Sequence, residues 1–164
     1  MPQQYHSPDM NKQVVRRFVQ ECWNQGSFNK APELLADQVR FHDPVFPNMN
    51  PGIQNIKLHI ETCRKAFPDL KFAIDDTIAE RSEVVVHWTA HGTHKGPLLG
   101  MEPTNRKVTI EGTSIYRLEG IKIVEVHANW NLATMMAQLG VIEVPHELRA
   151  NASPEPRQQV RSDT

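Results

Sequence analysis

Residues 83–94 read Glu-Val-Val-Val-His-Trp-Thr-Ala-His-Gly-Thr-His, and that run limits what the chain can fold into. Strict alternation places Val84, Val86, Trp88, Ala90, Gly92 and His94 on one face and Val85, His87, Thr89 and His91 on the other. The first face is apolar and ends in an imidazole; the second is half polar. Such a strand must press its apolar face onto other elements. His94 then belongs at the lip of whatever hollow forms there.

Two later stretches repeat the period of two. Val108, Ile110, Gly112, Ser114, Tyr116 and Leu118 share one face, and Val124, Val126, Ala128 and Trp130 share another. Glu119-Gly120 turns the chain between them. Leu70, Phe72 and Ile74 form an earlier strand, and Val39–Asp43 a short one broken by Pro44. Helical spacing comes before the strands. Val14, Val15, Phe18, Val19, Cys22 and Trp23 form one helix stopped at Gln25-Gly26. Pro32–Ala36 is a short second helix with proline early, where a missing N–H costs nothing. Ile53, Ile56, Ile60, Cys63 and Phe67 stripe a third, ended by Pro68. Asn131 is the expected N-cap of a last helix, Leu132 to Leu139, closed by Gly140.

Helices followed by an antiparallel meander predict an α+β domain: a cone-shaped barrel of a curved, mostly antiparallel sheet wrapped around N-terminal helices. The mouth of such a cone is an apolar pocket with few polar groups, suited to a small molecule. The expected organisation is a flexible tail at 1–9, one domain at 10–142, and a flexible or partner-draped extension at 143–164, rich in proline, serine and charge. With 164 residues and a net charge of −1, the chain has length for one core and no excess charge aimed at nucleic acid or an anionic membrane. No apolar run approaches the ~18 residues of a membrane span, and residues 1–9 lack the pattern of a signal peptide. Cys22 and Cys63, in helical stretches among apolar neighbours, read as buried free thiols of a reducing, cytoplasmic protein.

The residues also resemble the SnoaL-like polyketide cyclase (ester cyclase) family, within the nuclear transport factor 2-like and ketosteroid isomerase-like fold. The resemblance covers roughly residues 11–141. It rests on Asn11–Phe18, Trp23-Asn24-Gln25-Gly26, Phe41-His42-Asp43-Pro44, Ala66–Leu70, Gly92–Gly100, Ile115-Tyr116-Arg117 and Ala137–Gly140. It implies an enzyme without a cofactor or metal, acting on a polycyclic or carbonyl-containing small molecule. In the cyclases an acid/base aspartate near the end of the last strand serves an intramolecular aldol closure, and a histidine on the preceding strand assists. The matching positions are Ala128 (or next Asn131) and Ser114. Neither alanine nor asparagine can shuttle a proton, so that mechanism does not carry over unchanged. Cyclisation, isomerisation or dehydration, hydroxylation, and binding without catalysis all remain open.

Other residues supply candidates. Asp43 shares the face of Val39 and Phe41, and a carboxylate held in an apolar pocket becomes a usable base near neutral pH because its charged form is desolvated. It also matches the position of the base in ketosteroid isomerases, which present Asp-Pro in this context. Its local alternative is to cap the turn at Pro44. His94 is the candidate oxyanion donor or relay. Phe41, Trp88, Ser114, Tyr116, Ala128 and Trp130 are the expected substrate-contacting set. His127 joins it if a bulge turns it inward. His42 reads as a surface residue. His87, His91 and, without such a bulge, His127 lie on the outer face, as surface residues or where a homodimer would pair.

Overall fold

The computed structural model describes residues 6–145. Of the tail expected at 1–9, residues 1–5 lie outside the described residues, and Pro8 and Asp9 belong to the first helix; of the extension expected at 143–164, residues 146–164 lie outside them. Helix α1 spans Pro8–Arg17, with Ser7 accepting from the Met10 N–H at its start. It runs directly into a π-helical segment, Phe18–Asn24. Helix α2 is Ala31–Leu34, strand β1 Leu35–His42, and helix α3 Ile53–Ala66. Strands β2 (Lys71–Glu80), β3 (Glu83–Thr93), β4 (Lys107–Glu119) and β5 (Lys122–Trp130) follow, then helix α4 (Leu132–Gln138). As expected, Asn131 caps α4 by accepting from the Thr134 N–H.

The five strands lie in the order β1-β5-β4-β3-β2. All neighbours are antiparallel except β1 and β5, which run parallel. The sheet is curved and not closed, the α+β cone expected from the sequence. Its inner face follows the parity of the Val84 run: Val84, Val86, Trp88 and Ala90 are buried, as are Val108, Ile110, Ser114, Tyr116 and Leu118 opposite them. Each large apolar side chain removed from water contributes about 1.5–3 kcal/mol, so this face anchors the helices.

Three local readings needed correction. Leu35, expected to be helical, already belongs to β1; it pairs with Ile123 and is fully buried. Val124 does not share the inner face with Val126. The register slips between Arg117 and Leu118, so that Ile123 turns inward and Val124 becomes the extra residue of a bulge. The end of the first helix is π rather than α, which buries Phe18, Val19, Cys22 and Trp23 together. Asn24 then clamps it to the sheet edge, donating to Phe72 O at 3.0 Å and accepting from Phe72 N–H at 2.7 Å. Arg64 of α3 donates to the carbonyls of Trp23 and Asn24. These bonds fix the end of the π-helical segment, and with it Trp23, against β2 and α3.

Gly112 pairs with Trp88 across β3 and β4, and the indole fills the space a side chain would need: a Cβ at 112 would sit 2.2 Å from Trp88 Cζ2. Gly112→Ala is therefore expected to destabilise the fold by ~1–3 kcal/mol, the usual cost of overpacking. The check is the midpoint of urea unfolding; an unchanged midpoint would mean that Trp88 does not lie on Gly112.

Candidate active site

The inner face of the sheet, the π-helical segment, α3 and the loop after β1 enclose an apolar cavity. It holds about 950 Å³ of space, counting the part open to solvent at its mouth. Phe41, Asp43, Trp88, Ser114, Tyr116, Ala128 and Trp130, all expected from the sequence, line it. Trp23, Phe46, His59, Cys63 and Phe72 do so as well.

Asp43 stands one residue past the end of β1, on the face of Val39 and Phe41, and is 9% exposed. Its two oxygens are held separately. Oδ1 accepts from the Val45 N–H at 2.8 Å, and Oδ2 from Trp130 Nε1 at 3.2 Å. The turn-capping role and the inward-facing role therefore coexist in one carboxylate. The last register pair of the parallel strands is His42 with His127. One residue further on each strand stand Asp43 and Ala128, and both line the cavity. The carboxylate just past the end of β1 thus stands beside Ala128 of the neighbouring strand.

His59 was absent from the sequence-derived candidates. It sits on α3, three residues after Ile56 and four before Cys63, within the apolar stripe. Only 6% of it is exposed. Trp23, Phe41 and Phe46 surround its ring at centroid distances of 5.5, 5.3 and 4.9 Å. Its Nε2 lies 3.9 Å from Asp43 Oδ2, too far for a hydrogen bond. Neither ring nitrogen has a hydrogen-bond partner. Burial pushes the imidazole below its ordinary value of 6.5, and the pull of Asp43 in the other direction does not reverse this. His59 is thus a neutral ring with a free donor and a free acceptor beside a carboxylate.

A second polar group stands apart from this pair. Ser114 Oγ accepts from Trp88 Nε1 at 2.9 Å and is hydrogen-bonded to the Tyr116 hydroxyl. Burial pushes the Tyr116 phenol up, more than the bond to Ser114 lowers it, so it remains protonated. The cavity thiol, Cys63, is pushed up to about 12 by burial and then by the charge of Asp43. Cys22 is also raised to about 12, chiefly by burial. Neither thiol supplies a thiolate near neutral pH. Both are free.

Two expected site residues lie elsewhere. His94 is fully buried but does not line the cavity. β3 ends at Thr93, so strand parity no longer directs residue 94. Its ring packs 5.4 Å from Phe67, and Nδ1 accepts from the Thr104 N–H at 3.2 Å. His127 points outward and its side chain is half exposed; the bulge in β5 falls at Val124, before it, and leaves its outward parity intact. Asn131 is committed to capping α4.

A family model for SnoaL-like polyketide cyclases matches residues 13–139. Among solved structures, the fold is similar to AclR of Streptomyces galilaeus, a proposed hydroxylase. That match has 24% identity, covers 89% of this chain and 96% of that one, and has a TM-score of 0.73. It is also similar to TsrD of Streptomyces laurentii, at 21% identity, 84% and 99% coverage, and TM-score 0.75. A third is IdmH of Streptomyces antibioticus, a proposed polyketide cyclase, at 24% identity, 80% and 99% coverage, and TM-score 0.70. No curated protein gives a significant match. The matched span takes in β1 through α4, with every side chain of the cavity described above, and on that span the chain belongs to the SnoaL-like polyketide cyclase family.

Proposed function

We propose that the protein is a cofactor-independent enzyme that removes a proton next to the carbonyl of a polycyclic or otherwise carbonyl-containing small molecule, leading to cyclisation, isomerisation or dehydration. The observation that carries this reading is the Asp43–His59 pair: a carboxylate and a neutral, unpartnered imidazole 3.9 Å apart at an apolar cavity. Asp43 accepts the α-proton. His59 donates an N–H to the enolate oxygen as charge develops there, where low dielectric strengthens the bond. In a ring closure the enolate carbon then adds to a second carbonyl, and the new alkoxide takes the proton back from Asp43. Trp130 Nε1 and the Val45 N–H fix the carboxylate in place. The aromatic walls match a flat substrate.

A second reading is a binding module without catalysis. The alanine at 128 and serine at 114, in place of the family's acid and histidine, favour it. A hydroxylase would use the same cavity and would consume oxygen when turning over. We also assign the outer face of β3 and β4, with exposed His87 and His91, to pairing of two copies; light scattering at the mass of one chain would contradict this.

Exchange of the α-protons of 1-tetralone in D₂O, followed by NMR, separates catalysis from binding. The wild-type protein is expected to accelerate exchange, and Asp43→Asn to lose it by about 10²-fold or more with an unchanged circular dichroism spectrum. Equal rates in the two proteins would remove Asp43 from the reaction. His59→Gln is expected to lose about tenfold or more.

His59 also predicts an acid sensitivity. Its folded value lies below the unfolded 6.5, so the unfolded chain takes up the proton first as the pH falls. Stability is unaffected well above 6.5. It declines as the pH drops below 6.5 toward the folded value, and the full loss is reached below that value. The difference in urea midpoint between wild type and His59→Leu should therefore shift against the wild type between pH 7.5 and 5.5. A pH-independent difference would mean that His59 is not buried neutral.

A further inference from the structure

The outer face of the sheet carries a second cluster, on the side away from the cavity. Parallel pairing sets His42 opposite His127 and Arg40 opposite Glu125. The two imidazoles stack with centroids 4.1 Å apart and planes within 8°. Both turn Nε2 to the same carboxylate. His42 Nε2 lies 3.3 Å from Glu125 Oε2, and His127 Nε2 lies 3.5 Å from Oε1.

We propose that His42, Glu125 and His127 form a binding site for a divalent transition-metal ion of the copper(II) or zinc class. One ligand atom from each residue falls within 4.8 Å of the others. An ion with bonds of about 2.0–2.2 Å in tetrahedral geometry separates its ligands by roughly 3.4 Å; the imidazole–carboxylate distances of 3.3 and 3.5 Å are of that size, although each is to a different oxygen of Glu125. The ion enters where the three groups converge, taking Nε2 from each ring and one carboxylate oxygen, with the remaining position open to water. The rings now stack within 8° of parallel, so both must turn for their Nε2 lone pairs to converge on the ion; the two side chains are 45% and 50% exposed, which leaves them room to do so.

Glu125 is anchored by two guanidinium groups. Arg40 Nη2 binds Oε2 at 2.8 Å, and Arg117 Nε lies 3.7 Å from Oε1. These guanidiniums orient the carboxylate, which has four lone-pair positions to share. Their charge also opposes a cation, so the site selects ions that bond strongly to imidazole. The Irving–Williams order puts copper(II) ahead of zinc, and magnesium and calcium, which want oxygen ligands, are excluded.

The test is isothermal titration of the untagged full chain with CuCl₂, ZnCl₂ and MgCl₂ in a non-coordinating buffer. One copper or zinc ion per chain is expected, and no magnesium. His42→Ala and His127→Ala should each weaken binding by at least about tenfold, as should Glu125→Gln. His87→Ala, an exposed histidine on another strand, should leave it unchanged. Because both imidazoles are about half exposed and Glu125→Gln keeps the shape of a partly buried side chain, circular dichroism should show all variants folded; His42→Gln and His127→Gln repeat the comparison if an alanine variant is not. Absence of saturation by either ion at about 1 mM would overturn the proposal. So would affinities that survive loss of both histidines, or that fall as much in His87→Ala.

Discussion

The parallel pairing of β1 with β5 determines where the candidate site residues of this molecule lie. The other strands form an antiparallel meander that ordinary hairpin connections would build. β1 joins it from far away in sequence, and its register, Phe41 with Val126 and His42 with His127, fixes which side chains go in and which go out. Because strand side chains alternate, a slip of one residue would exchange the two sets. In this register Phe41 and Asp43 face the cavity, while His42 faces outward against His127 and Glu125. Both the enclosed acid–imidazole pair and the outer cluster are products of that one pairing.

The cavity combines a large apolar wall with a few polar atoms held in unequal states. Asp43 and Ser114 are anchored by indole N–H groups from Trp130 and Trp88. His59 is anchored by nothing polar, and both its nitrogens are buried without partners. Leaving a buried polar group unsatisfied costs about 1–3 kcal/mol. A fold built only for stability would place an apolar residue there, among Trp23, Phe41 and Phe46. The cost is recovered if a ligand carbonyl supplies the missing partner. That makes the orphan imidazole an argument for occupancy by a polar function on an otherwise apolar molecule.

The sequence made much of this legible, for a physical reason. Inside a regular strand, parity is rigid, so the inward direction of Trp88, Ser114, Tyr116, Ala128 and Trp130 followed from alternation alone. Asp43 followed from Val39 and Phe41 in the same way. Parity gives no guidance where regularity stops. His94 lies just past the end of β3, and the loop bond to Thr104 decided its environment. The bulge at Val124 put Ile123 in its place. His59 escaped notice because a helical stripe is read from its apolar members, here Ile56, Ile60 and Cys63. Its spacing from Ile56 and Cys63 was the available signal. The parallel partner of β1 was not legible, since nothing local to residues 35–43 names residues 123–127.

The central claim is that Asp43 and His59 face a ligand across one cavity. Titrating ¹⁵N-labelled protein with 1-tetralone and following the indole N–H resonances tests it most directly. The Trp130 indole, hydrogen-bonded to Asp43, and the Trp88 indole, hydrogen-bonded to Ser114, are predicted to shift together and saturate. Indole resonances that stay fixed while backbone amides around His42 and His127 move would place the ligand on the outer face and contradict the account.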